Sequence, residues 1–174
     1  MIKTIFLSKD TTIYEATASM NTGIDEILEI QKIVSGSGGD LMRSRALVQF
    51  DTTEMSASLS AQGINTGSDS GSLNYTLKMF VSKEEDVQAS YNLVGEVLVQ
   101  DWDMGISTYV PTVKTDCTWT NRKTDTAWGG PGSVFIINGY SVSQSFNNVT
   151  ADISFDVTNI VVTLWHNNPS YNNY

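Results

Sequence analysis

His166 is the chain's one histidine and Cys117 its one cysteine, so much chemistry is bounded at once. A Ser-His-acid hydrolase needs a base, and His166 is the sole candidate. It lies in the polar stretch His166-Asn167-Asn168-Pro169, and no Gly-x-Ser-x-Gly elbow is present. The better reading is a solvated residue at the end of an element. One histidine excludes the usual two- and three-histidine metal sites. One cysteine excludes an internal disulfide framework and any cysteine-cluster metal. Cys117, between Asp116 and Thr118, reads as a buried small hydrophobe.

Paired carboxylates could cleave glycosides if two of them faced each other across a cleft. Asp101, Asp103, Glu96 and the pair Glu84-Glu85 are the candidates, and Glu84-Glu85-Asp86 reads more simply as a solvated turn. Calcium is the metal best suited to this composition, because hard cations take carboxylate, amide and carbonyl oxygens. The EF-hand spacing is absent, however. The loop from Gly63 to Ser72 offers only Asn65 and Asp69 as side-chain amide or carboxylate ligands. Glycan stacking needs exposed flat aromatics beside polar groups. Trp102 in Asp101-Trp102-Asp103 and Trp128 before Gly129-Gly130 sit in loop-like sequence and are the candidate binding residues. Trp119 and Trp165 lie within apolar patterns and read as core plugs.

The elements that would carry these residues are short. The 174 residues suit one domain, residues 1–174. Ser35 to Asp40, Gly63 to Ser72 and Gly129 to Gly132 break the chain, and between such breaks a period of two dominates. Leu73, Tyr75, Leu77, Met79 and Val81 share one phase. Tyr91, Leu93, Gly95, Val97 and Val99 share another, and so do Ala151, Ile153, Phe155 and Val157. Such alternation predicts half-buried strands. Further strands are expected at Lys3 to Leu7, Thr11 to Glu15, Glu26 to Ile33, Arg45 to Phe50 and Ser133 to Ile137. Asp51 to Ala61 reads as a loop with one helical turn. Ile160, Val161, Leu164 and Trp165 form a helical stripe, with Thr158 as its N-cap. The fold expected is all-β: an antiparallel β-sandwich, or barrel, with one or two short helical turns.

The formal net charge is -9, from 10 Lys+Arg against 19 Asp+Glu. That balance argues against a nucleic-acid backbone binder and against docking on an anionic membrane. No apolar run approaches a membrane span, and the start is too short for a secretory core.

An ordered set of landmarks spans nearly the whole chain. It comprises Ser8-Lys9-Asp10-Thr11-Thr12-Ile13-Tyr14, Asn21-Thr22-Gly23 and a strand, Ser44-Arg45 to Phe50-Asp51, the alternating strand Leu73 to Val81, Trp102 and Cys117-Thr118-Trp119-Thr120-Asn121-Arg122. Later come Ala127-Trp128-Gly129-Gly130, Phe155-Asp156-Val157-Thr158 with Trp165, and Asn172-Asn173-Tyr174. This set resembles the DNRLRE-type jelly-roll module, a relative of carbohydrate-binding β-sandwiches. The resemblance implies a jelly roll in which Arg45, Phe50, Asp51, Thr118, Trp119, Asp156, Thr158 and Trp165 are structural. That family continues past an Asn-Tyr with a glycine and a last apolar strand. Here the sequence stops at Tyr174, so the expectation is either a piece of a longer chain, its jelly roll lacking the last strand, or a sheet completed by something else. The run Asn21 to Ile30 resembles structural proteins of marine tailed phages. The implied function is a non-enzymatic virion structural protein of a tailed bacteriophage, on tail, neck, baseplate or head surface. Its partners would be other virion proteins, copies of itself and host-surface glycan, with no cofactor beyond a structural calcium. The alternative is a carbohydrate-binding module of a secreted enzyme or adhesin, located outside the cell.

Overall fold

A computed structural model describes residues 2–35, 40–66, 70–85, 89–108, 110–111, 116–129, 136–147 and 151–166. In chain order the strands are β1 (Leu7–Tyr14), β2 (Met20–Asn21), β3 (Lys32–Ser35) and β4 (Asp40–Phe50), followed by helix α1 (Thr52–Ser60). Next come β5 (Thr76–Met79), β6 (Ser90–Leu98), β7 (Val110–Pro111), β8 (Asn121–Lys123), β9 (Thr126–Ala127), β10 (Ile136–Asn147) and β11 (Ile153–Asp156). Helix α2 (Thr158–Ile160) runs on as a π-helical segment, Val161–His166. The protein is mostly β, and every strand pair among the described residues is antiparallel. The chain divides into two compact units, one of Met1–Met55 with Gln100–Phe135, the other of Ser56–Val99 with Ile136–Asn173.

The first unit holds a three-stranded sheet in the order β1-β4-β3, with the small pairs β2-β7 and β8-β9. Thr11, Thr12, Ile13 and Tyr14 are buried in succession, so both faces of β1 are covered there. This explains why β1 shows no polar-apolar alternation: alternation marks a strand with one wet face. With Leu47, Trp102, Cys117, Trp119 and Trp128 these residues make the unit's interior. The expected strand Lys3 to Leu7 is absent, since β1 begins only at Leu7. The expected strand Glu26 to Ile33 shrinks to β3.

In the second unit β6 pairs with β10 and β5 with β11. Phe146, Ile153 and Phe155 form a core against which Leu77, Met79, Tyr91, Leu93 and Val142 pack. Tyr91 and Phe146 are opposite one another in the β6-β10 register, and their rings stack at 4.9 Å. Gly95 has a specific reason to lack a side chain. A Cβ there would lie 3.0 Å from Val142 Cγ2 and 3.2 Å from the Phe155 ring. The β6-β10 register slips between Ile136 and Ser141, around Gly139 with φ +91°.

Two helical expectations need correction. Thr52–Ser60 is a full helix rather than a loop with one turn. Asp51 caps it, its Oδ1 accepting from Thr53 N at 2.7 Å and Glu54 N at 3.3 Å. Gly63, with φ +71°, follows its end. The late helical stripe is helical, but Thr158 does not cap it. The cap position is Val157, without a side-chain bond. Thr158 Oγ1 instead accepts from Tyr75 N at 2.8 Å.

Candidate functional site

A largely buried polar constellation in the first unit is centred on Asn21. Its Nδ2 donates to Cys117 O at 2.7 Å and to Met104 O at 2.9 Å. Its Oδ1 accepts from Gly23 N at 2.9 Å. That pattern fixes the amide orientation, because two carbonyls can face only the NH₂ end. Thr22 Oγ1 accepts from Thr12 N and donates to Thr12 O, and Ser107 Oγ donates to Asp116 Oδ2 at 3.1 Å. Two glycines permit the packing. A Cβ on Gly23 would lie 2.0 Å from Met104 O, and one on Gly105, where φ is +83°, 2.5 Å from Asn21 Oδ1. The network consumes its own donors and acceptors, which makes it a structural knot tying β2 to the segments at Met104 and Cys117. Cys117 is fully buried, and burial pushes its thiol far above the ordinary range, the nearby Asp103 and Asp116 adding to the effect. A thiol held in that state is a poor nucleophile.

The nominated carboxylates are held by cations. Asp101 Oδ1 takes Arg122 Nη1 at 2.5 Å, Asp101 Oδ2 pairs with Lys123, and Lys123 Nζ lies 3.8 Å from Asp103 Oδ1. Lys123 therefore bridges the two carboxylates, where a glycosidic oxygen would have to enter. The hydrogen bond from Lys123 holds the Asp101 carboxyl below the usual range, the opposite of what a general acid needs. Glu96 is an exposed residue of β6, and Glu85 pairs with Lys83 at 2.5 Å.

His166 is half-buried rather than solvated. It closes the π-helical segment, with Nε2 3.0 Å from Tyr75 Oη and its ring edge-on to Tyr75 and Trp165. Burial pushes its imidazole below the ordinary value, while the Thr66 backbone opposes the shift. Neither its hydrogen bond nor its ring contacts bring in a carboxylate.

The proposed glycan-stacking pair is corrected by burial. Trp102 is 1% exposed and Trp128 3%, so neither presents a ring face. Trp128 Nε1 donates to Thr118 O at 2.8 Å, and Lys9 lies over the Trp102 ring at 5.8 Å. Both are core pieces, like Trp119, which packs under Arg45 at 5.0 Å. Asp69, one of the two proposed loop ligands, lies outside the described residues. Among the described residues no group of three or more His, Cys, Asp or Glu is placed to hold a metal ion. No described helix is long and apolar enough to cross a membrane.

Several large apolar side chains of the first unit are exposed. Ile24, Ile27 and Ile30, then Ile33 and Val34 of β3 and Leu41 of β4, all stand out from the first unit. They occur in a run also carrying Asp25, Glu26 and Glu29. Ile33 and Val34 point to opposite faces, so the β3-β4 ribbon is apolar on both sides. Sequence reading missed this strip because isoleucine in a strand-like run reads as core.

No protein-family model matches the sequence, and neither a curated protein nor a solved structure is significantly similar to it.

Proposed function

We propose that this protein is a non-enzymatic structural module that works through contacts with copies of itself and with other proteins. The observation carrying the reading is the exposed isoleucine-rich strip ending in the β3-β4 ribbon. Exposed apolar surface of this kind marks interaction sites in soluble proteins. Several of the groups nominated for a reactive centre are otherwise engaged: Asp101 and Asp103 by Lys123, His166 by Tyr75, and Cys117 by burial. The setting we propose is the virion of a tailed bacteriophage, assembled in the host cytoplasm, where symmetric arrays multiply weak contacts. The carbohydrate-module alternative has lost the aromatic faces that motivated it. Electron microscopy of the concentrated protein, and of particles containing it, tests the reading. Symmetry-related copies in regular arrays are expected. A protein that stays strictly monomeric and is found only free in medium would overturn it.

A further inference from the structure

The three-stranded sheet of the first unit has two outer strands, and they differ. The outer side of β1 is lined by the Asn21-Thr22 segment, and its residues Thr11 to Tyr14 are buried. On the other side, β3 pairs only with β4 among the described residues, and Lys32, Ile33 and Val34 are exposed. The ladder shows which backbone groups of β3 are open. Ser44 N donates to Gln31 O at 3.0 Å, so position 31 faces β4. Hydrogen-bonding direction alternates along an antiparallel strand, so Ile33 faces β4 as well. The N–H and C=O groups of Lys32 and Val34 therefore point outward, a ready template for another strand.

The same unit carries a segment with the opposite deficiency. Residues 2–6, Ile-Lys-Thr-Ile-Phe, alternate like a strand, with Ile2, Thr4 and Phe6 in one phase. Yet they pair with no described strand. Ile2 is 95% exposed and Phe6 79%. A strand-forming sequence without a partner and a strand edge without a partner fit one another.

They cannot meet within one chain. Residue 6 leads into β1 at Leu7, which is opposite Phe50, whereas β3 begins opposite Arg43. At roughly 3.4 Å per residue those two places on β4 are about 24 Å apart. The segment 2–6 reaches about 17 Å when fully extended, and it leaves β1 heading away from β3. It would also have to cross to the far side of β4.

We propose that the β3 edge accepts residues 2–6 of a second copy of this chain as an added strand. This rests on the assembly reading above and names its seam. Main-chain bonds to Lys32 and Val34 supply the pairing. The apolar faces flanking it, Ile33 with Met42 and Val34 with Leu41, receive Ile2 and Phe6 on one side and Ile5 on the other. The contact is head-to-tail, because one copy gives a segment and the other an edge, so it propagates into a ring or a filament.

Two full-length variants test this by sedimentation velocity. Val34→Pro removes an outward N–H and leaves the bonds of β3 to β4 in place. Ile2→Asp with Phe6→Asp places charge on two exposed side chains, outside the core. Wild type is expected to sediment as species larger than a monomer at raised concentration, and each variant alone as a monomer with wild-type circular dichroism. An equimolar mixture of the two variants should form a dimer and nothing larger, because only one good edge and one good segment remain. If wild type assembles and the Ile2/Phe6 variant assembles equally well, the seam is wrong while the assembly reading stands. If wild type never associates, both fall.

Discussion

Replacing Asn21 by alanine should cost the first unit a large part of its stability, and the structure sets the scale. The amide satisfies Cys117 O at 2.7 Å and Gly23 N at 2.9 Å in buried surroundings, and Met104 O at 2.9 Å in a part-buried one. Alanine leaves these three groups without that partner and opens a small void. A buried polar group left unmade costs about 1–3 kcal/mol, so three give about 3–6 kcal/mol after partial relaxation. Set against a typical total of about 5–15 kcal/mol, that is enough to lower a urea midpoint steeply. Asn21→Asp should be at least as damaging, because it turns a carboxylate oxygen toward two carbonyls. Urea titration followed by tryptophan fluorescence reads this directly, since Trp102 and Trp128 are buried in the same unit. A loss below about 1 kcal/mol for Asn21→Ala would refute the claim that this amide ties the segments together.

Three further outcomes follow from the same contacts. Burial lowers the His166 pKa from its ordinary 6.5, so the folded state prefers the neutral ring. Its contribution is complete above 6.5 and is lost as pH falls through the lowered folded value; His166→Gln should flatten that part of the urea-midpoint profile. Glu15 and Asp101 are pulled down chiefly by hydrogen bonds from Arg43 and Lys123. Their contributions are present above the ordinary carboxylate range and vanish as pH drops below it. Each pair is partly exposed and worth no more than about 1 kcal/mol, so Arg43→Ala should cost little at neutral pH and less in high salt. Cys117 should resist thiol reagents in the native protein and react at the rate of unfolding, as stopped-flow labelling across urea would show; rapid native labelling would contradict its burial.

Much of the β architecture was legible because one-sided burial writes a period of two into the sequence. Strands β6 and β11 fall where Tyr91 to Val99 and Ala151 to Val157 alternate. Strand β10 carries the same signal in Tyr140, Val142, Gln144 and Phe146, but Ser141, Ser143, Ser145 and Gly139 weaken it. Strand β1 was harder to bound because Thr11 to Tyr14 are covered on both faces. Helix α1 escaped because it buries no residue and so has no stripe; Asp51 followed by Glu54 was its only mark. The site reading failed at Trp102 for a physical reason. Flanking aspartates suggest an exposed loop, yet the Asp101 and Asp103 carboxylates engage Lys123, and Asp101 also Arg122, while the ring between them turns inward. The Asn21 knot was invisible because its partners are backbone carbonyls 83 and 96 residues away.

Amide hydrogen exchange at Val34, followed as the protein is concentrated, reports most directly on whether the exposed ribbon is a working surface. The amide of Val34 points away from β4, so it should exchange freely in dilute protein. It should become strongly protected at high concentration, together with the amides of residues 2–6. Equal, fast exchange at every concentration would contradict the account, because an edge that never finds a partner builds nothing.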